Sequence, residues 1–202
     1  MIRFARVTLA VVLTAALSGC ALLSSPDPVQ LYRFGASDPE RAVTPGAATQ
    51  LQLRRVQFTE AAADDRILGV TGSEAAYIAG ARWIERAETL YQEAIENTFA
   101  AQATRVRLAG RRELSPSPRI LDLDVRTFEA RYSAPGAAPT VRVAVRARMI
   151  SRADRGVVAE EVFTVDQPAD QNRVSSIVAA FDAAAAEVNG EIVRWAEAHA
   201  GG

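Results

Sequence analysis

Ile120-Leu121-Asp122-Leu123-Asp124-Val125-Arg126 and Thr140-Val141-Arg142-Val143-Ala144-Val145-Arg146-Ala147-Arg148-Met149 each alternate an apolar side chain with a charged or small one. Period two sends successive side chains to opposite faces of a strand. Two such runs therefore require a sheet with one face on a core and the other in water. Between them, Ser133 to Pro139 contains Pro135 and Gly136, the residue types of a chain reversal. The long runs extend over Ile120–Tyr132 and Thr140–Ser151, and Val157 to Val165 adds a third strand after Asp154-Arg155-Gly156. Counting back from a turn near Gly136 puts Asp124 opposite Arg148, so Asp122 and Asp124 read as cross-strand partners of arginines. The sharper reading of the same pair, or of Asp64-Asp65, is a hard-cation or general-acid site.

Working outward, the period changes in two places. Ala87, Leu90, Tyr91, Ala94, Ile95, Thr98 and Phe99 recur at helical steps, predicting a helix from Glu85 to near Gln102. Val174, Ile177, Val178, Phe181, Ala185, Val188, Ile192 and Trp195 predict a second over residues 173–198, with Asn172 as its N-cap. Further strands are expected at Gln30–Phe34, at Thr49–Phe58 and weakly near Arg105–Leu108. In Thr49–Phe58 the apolar step from Leu53 to Val56 implies a bulge near Arg54-Arg55. Arg66–Val70 and Glu74–Ile78 form a hairpin through Thr71-Gly72-Ser73. The sum is an α+β fold, a two-layer sandwich with an antiparallel-rich sheet and two main helices on one face.

The N-terminus reads as targeting. Arg3 and Arg6 flank a basic start, Val7 to Leu17 is apolar, and Leu17-Ser18-Gly19-Cys20 follows. A spanning helix needs about 17–25 apolar residues, more than this run supplies. The tetrad resembles the bacterial lipobox, which implies a lipid thioether on Cys20 and cleavage before it; an ordinary signal peptide with an incidental cysteine is the alternative. Ala21, where aspartate retains lipoproteins at the inner membrane of enteric bacteria, implies the outer membrane and a periplasmic orientation. The expected organisation is a lipoprotein signal peptide at 1–19, a lipidated tether at 20–29 and a single domain at 30–200. Ser24, Ser25, Pro26 and Pro28 suit a tether.

Composition narrows the chemistry. The chain has 23 basic and 24 acidic residues, and every basic one is arginine, so lysine-nucleophile mechanisms are excluded. Dropping Arg3 and Arg6 leaves 21 against 24, too balanced for a nucleic-acid surface. Cys20 is the only cysteine, which rules out a disulfide within the chain. His199 is the only histidine and lies beside Ala200-Gly201-Gly202, a composition that usually frays. A Ser-His-Asp triad centred inside the domain, a Cys/His zinc site and a phosphate-binding glycine loop are all missing from the pattern. No cofactor or metal is expected, and no enzymatic role. Trp83 and Trp195, near helix ends, read either as core packing or as aromatic anchors of an interface.

Several segments together resemble one family, the ABC-type transport auxiliary lipoproteins. They are Asp65-Arg66-Ile67, Tyr77-Ile78-Ala79-Gly80-Ala81-Arg82-Trp83 and Leu90-Tyr91-Gln92-Glu93, with Leu31-Tyr32-Arg33, Phe128-Glu129-Ala130, Gln167-Pro168-Ala169, Ala180-Phe181-Asp182 and Ile192-Val193-Arg194-Trp195. Ala81-Arg82-Trp83 is the most specific stretch, and Arg82 and Trp83 are the candidate partner-contact residues. The chain departs from the pattern at Arg55-Val56-Gln57-Phe58, which lacks the family's common proline, and at Ile84. The resemblance implies a non-enzymatic outer-membrane component of an envelope lipid-transport system. Its implied partners are an MCE-domain protein that crosses the periplasm and an ABC permease with its ATPase, with oligomeric state left open. An envelope-assembly or cell-wall scaffold lipoprotein is the alternative; a periplasmic hydrolase using Asp122 or Asp124 is a third.

Overall fold

The computed structural model describes residues 29–36, 48–110 and 117–200. The signal segment, Cys20, most of the tether and the loop containing Pro39, Pro45 and Gly46 lie outside these. Among the described residues the order is β1 (Gln30–Tyr32), β2 (Thr49–Leu53), β3 (Gln57–Phe58), α1 (Glu60–Ala63), β4 (Arg66–Thr71) and β5 (Glu74–Trp83). Then follow α2 (Ala87–Gln102), β6 (Val106–Leu108), β7 (Arg119–Tyr132), β8 (Thr140–Ser151), β9 (Val157–Pro168) and α3 (Val174–His199).

The expected α+β architecture is present, and β7 is the strand on which the mixed sheet is assembled. Along one side β8 pairs with it antiparallel for nearly its whole length, and β9 pairs antiparallel with β8. The other side is shared in succession by β2, β3 and β4, all parallel to β7. Beyond β4 come β5, antiparallel, and β1, parallel to β5; β6 lies outside β2, also parallel. The long ladders are antiparallel as periodicity requires. The parallel pairings are short and were not visible in it, because a three-residue strand carries no period.

Two local expectations are corrected. The strand expected at Thr49–Phe58 breaks in two rather than bulging. Arg54 N–H still donates to Leu121 O (2.9 Å), but Val56 N–H donates to Gln92 Oε1 of α2 (2.9 Å). A helix side chain thus takes the donor that a continuous strand would give to the sheet. Nor does Asn172 cap α3. Arg173 occupies the cap position with an extended backbone and no side-chain bond. Ser176 Oγ instead accepts from Gln171 N–H (3.1 Å), fixing the turn before the helix.

The long hairpin also carries a bulge. Val125 faces Val145 and Thr127 faces Ala144, leaving Arg126 as an extra residue in β7. Before it Leu121, Leu123 and Val125 point inward; after it Phe128 and Ala130 do, all at most 3% exposed. The bulge and the position of the turn together move the charge register. Asp122 faces Arg148 and Asp124 faces Arg146, not Asp124 and Arg148 as counted from Gly136. The kind of pairing expected is present, two residues displaced.

Phe128 then becomes the centre of an aromatic cluster. Its ring centroid lies 4.7 Å from Phe181, 5.1 Å from Phe34, 5.6 Å from Phe58 and 6.2 Å from both Trp83 and Tyr91. Those residues come from β3, β5, α2, α3 and the segment after β1, so one side chain joins both helices to the sheet. Helix α3 packs on β8 and β9 and against α2. Over 26 residues it is about 39 Å long.

Glu197 ties the end of α3 to the approach to β6. Its Oε1 accepts from Thr104 N–H (2.6 Å), Arg105 N–H (2.7 Å) and Thr104 Oγ1–H (3.0 Å). Partial burial works against the charge, but the N–H groups of Arg105 and Thr104 outweigh it and hold the carboxyl below its ordinary value of 4.5. A carboxyl whose folded pKa is depressed stabilises the fold above its unfolded pKa, and that gain fades as pH falls through the folded value.

Four outcomes are expected. Phe128→Ala should cost about 3–5 kcal/mol in urea unfolding. Arg126→Ala, at an exposed site, should stay within about 0.5 kcal/mol of wild type, and deleting Arg126 should leave folded, soluble protein, because Val125, Thr127 and Phe128 then alternate without a bulge and Phe128 stays inward. Glu197→Gln should lose about 1 kcal/mol at pH 7, with the gap to wild type closing as pH is lowered below 4.5.

Candidate functional site

The chain enters the described domain at Val29, and the first strand it forms is an edge. β1 lies parallel to β5 with Gln30, Leu31 and Tyr32 opposite Ala81, Arg82 and Trp83. Ile84 N–H continues the ladder to Tyr32 O (2.8 Å). Directly after β1 the chain turns into the core. Phe34 is buried, and Gly35 at φ +71° donates its N–H to Asp182 Oδ1 of α3 (2.6 Å). A Cβ on Gly35 would sit 2.3 Å from Ala94 Cβ of α2, so glycine is required twice over, by its dihedral and by this approach.

The two interface candidates separate here. Arg82 is on the surface, 47% exposed, with Nη1 2.8 Å from Asp65 Oδ2. Trp83 is 2% exposed and edge-on to Phe34 (4.9 Å) and Phe181 (5.4 Å). In this structure its ring is core, and a partner could reach it only if the cluster opened. Trp195 is likewise buried, against Phe163. Cys20, the lipidation candidate, lies outside the described residues.

Around Arg82 the charges form a local network. Arg86 bridges Asp64 (3.2 Å) and Glu88 (3.1 Å), and Arg55 reaches Glu88 (2.5 Å). Trp83 N–H and Ala87 N–H donate to the carbonyls of Asp65 and Asp64 (2.7 and 3.0 Å). Asp64-Asp65 therefore position the entry to α2. Arg66 stacks its guanidinium 3.7 Å over the Tyr77 ring, a cation–π contact.

The strand carboxylates are engaged by arginines. Asp122 Oδ2 meets Arg148 Nη2 at 2.7 Å and Arg54 Nη1 at 3.6 Å; Asp124 Oδ2 meets Arg146 at 3.1 Å and Arg126 at 3.3 Å. Arg142 grips Asp166 with two hydrogen bonds (2.6 and 2.5 Å), which hold that carboxyl below its usual range. This is a ladder of cross-strand ion pairs rather than two carboxylates facing a shared ligand. Among the described residues no group of three or more His, Cys, Asp and Glu could hold a metal ion. His199 does not fray: α3 runs through it, and Nδ1 lies 2.8 Å from Trp195 O.

Sequence reasoning missed two things. Asn189 is fully buried on α3, with neither amide atom hydrogen-bonded among the described residues, and the Tyr91 hydroxyl is in the same situation. Burial pushes the Tyr91 phenol far above its ordinary value. Asn189 follows Ala185 by four and precedes Ile192 by three, so its place on the apolar face was readable. The second is the set of apolar side chains left in water at the sheet edges: Val29, Leu31 and Ile84 near β1, and Val157, Val158 and Val162 on β9.

No helix among the described residues is long and apolar enough to cross a membrane. Comparison with curated proteins finds no match. Among solved structures, protein XCC0632 from Xanthomonas campestris, of the family DUF330, is 25% identical over 85% of this chain and 96% of its own, with a TM-score of 0.71. An uncharacterized protein at 12% identity, covering 83% of this chain and 98% of its own (TM-score 0.66), shares the fold. So does the hypothetical protein CT253 from Chlamydia trachomatis, at 11% identity over 77% and 99% (TM-score 0.55). The family model described as ABC-type transport auxiliary lipoprotein component matches residues 32–193, nearly the whole folded domain, and the chain belongs to that family.

Proposed function

We propose that this protein is an outer-membrane lipoprotein, anchored through Cys20 and facing the periplasm, that serves an MCE-type envelope lipid-transport system without doing chemistry of its own. What carries the reading is one conjunction: a domain of the ABC-type transport auxiliary family over residues 32–193, preceded by Leu17-Ser18-Gly19-Cys20. An acyl chain contributes about 0.8 kcal/mol per buried CH₂, and stable anchoring takes more than one chain. Acylation of Cys20 would hold the domain permanently at one membrane face. From there it docks the periplasm-spanning MCE protein, while ATP is hydrolysed by the ABC subunits at the inner membrane. The ion-paired state of Asp122 and Asp124 favours this over the hydrolase, since arginines already occupy the groups a hydrolase would use.

Cys20→Ala should accumulate as the longer precursor, lose palmitate labelling and leave the outer-membrane fraction. Tagged full-length protein purified in mild detergent should bring down an MCE-domain protein. A preparation free of any envelope partner, or a Cys20→Ala chain that still fractionates with the outer membrane, would contradict the proposal.

A further inference from the structure

Three apolar side chains near the start of the domain are left in water together. Leu31 is 61% exposed, and Val29 and Ile84 are each 47% exposed. Leu31 is the register partner of Arg82, and Ile84 bonds back to Tyr32 through its N–H. Side chains alternate across a strand, so Leu31 shares one sheet face with Arg82 and Ile84, while Trp83 between them turns to the core. Exposed Arg33 lies next along the chain. Apolar groups flanked by arginines suit the boundary between acyl chains and phosphates, where the guanidinium stays hydrated and the aliphatic groups do not.

The length of chain before the patch argues for what covers it. From Cys20 to Val29 is a run of nine peptide units, at full extension about 30 Å. Helix α3 alone is about 39 Å long. The leash keeps the anchor within about 30 Å of Val29 even at full extension and nearer when relaxed, and β1 is the element it joins. The other exposed valines, on β9, lie at the opposite edge of the sheet, five strand spacings away, roughly 24 Å.

We propose that Val29, Leu31 and Ile84, with Arg33 and Arg82, form the surface by which the domain rests on the phospholipid bilayer. This rests on the reading of Cys20 as lipidated. The patch sets the orientation of the domain: β1 against headgroups, β9 and the end of the sheet it closes directed into the periplasm.

Because Cys20 is the only cysteine and its sulfur is consumed by lipid, one introduced cysteine reports from one place. Full-length protein carrying Leu31→Cys, Ile84→Cys or, as control, Val162→Cys is labelled with an environment-sensitive fluorophore. It is then reconstituted in vesicles of phosphatidylethanolamine and phosphatidylglycerol, with or without brominated acyl chains. The labels at 31 and 84 should shift to the blue and lose roughly half their emission to the brominated lipid, the depth expected of an interfacial contact. The label at 162 should do neither. If vesicle-bound protein leaves 31 and 84 as wet as 162, the patch proposal fails and the anchor stands. Protection of 31 and 84 only after an MCE protein is added identifies a protein interface and also overturns it. Labelling of the parent chain at Cys20 itself, or failure to float with vesicles, removes the anchor and the proposal with it.

Discussion

A bulge in one strand holds the two halves of this domain to a common interior. Without a bulge at Arg126, the alternation that begins at Leu121 would carry Phe128 and Ala130 to the solvent face. With it, the strand delivers apolar groups inward at both ends of a 14-residue run. The first half pairs with the second half of β8, and the second supplies the ring around which Phe34, Phe58, Trp83, Tyr91 and Phe181 gather. A bulge costs a ladder hydrogen bond and gains a change of face. Here that change joins α2, α3 and the β4–β5–β1 end of the sheet to a single core.

Long regular segments were legible in the chain, and short ones were not. The hairpin of β7 and β8 and the helices at Ala87–Gln102 and Val174–His199 follow from periodicity because each spans several repeats. The arginine–aspartate pairing was legible in kind, but its register was not, since a bulge leaves little trace in composition. The apolar step from Val125 to Phe128 was the available sign. β2, β3 and β6 take their place from what they pair with, and the break at Val56 depends on a glutamine from a helix distant in sequence. Trp83 shows the limit of motif reading. Ala81-Arg82-Trp83 is the stretch on which the family resemblance leans most, yet its tryptophan is a core residue and only its arginine meets water.

The charged face does modest energetic work. Exposed ion pairs contribute about 0–1 kcal/mol each, and most of these arginines are a quarter to a half exposed. Asp122 is the exception at 2% exposure, where loss of its arginine would strand a buried charge. The ladder keeps a broad sheet face soluble and sets strand order. Beneath that face, the rings gathered on Phe128 hold the sheet and both long helices to one interior.

The glycine after Phe34 gives the domain a mechanical character. Pinned to Asp182 and pressed against Ala94, it fastens the entering chain to both helices within a few residues of where the domain begins. A load arriving at Val29 meets no slack: it is borne by the three-residue ladder of β1 and then by the ring of Phe34. Endurance under such a load depends on how fast those bonds open rather than on equilibrium stability, so this short segment is where a pull on the entering chain would first test the molecule.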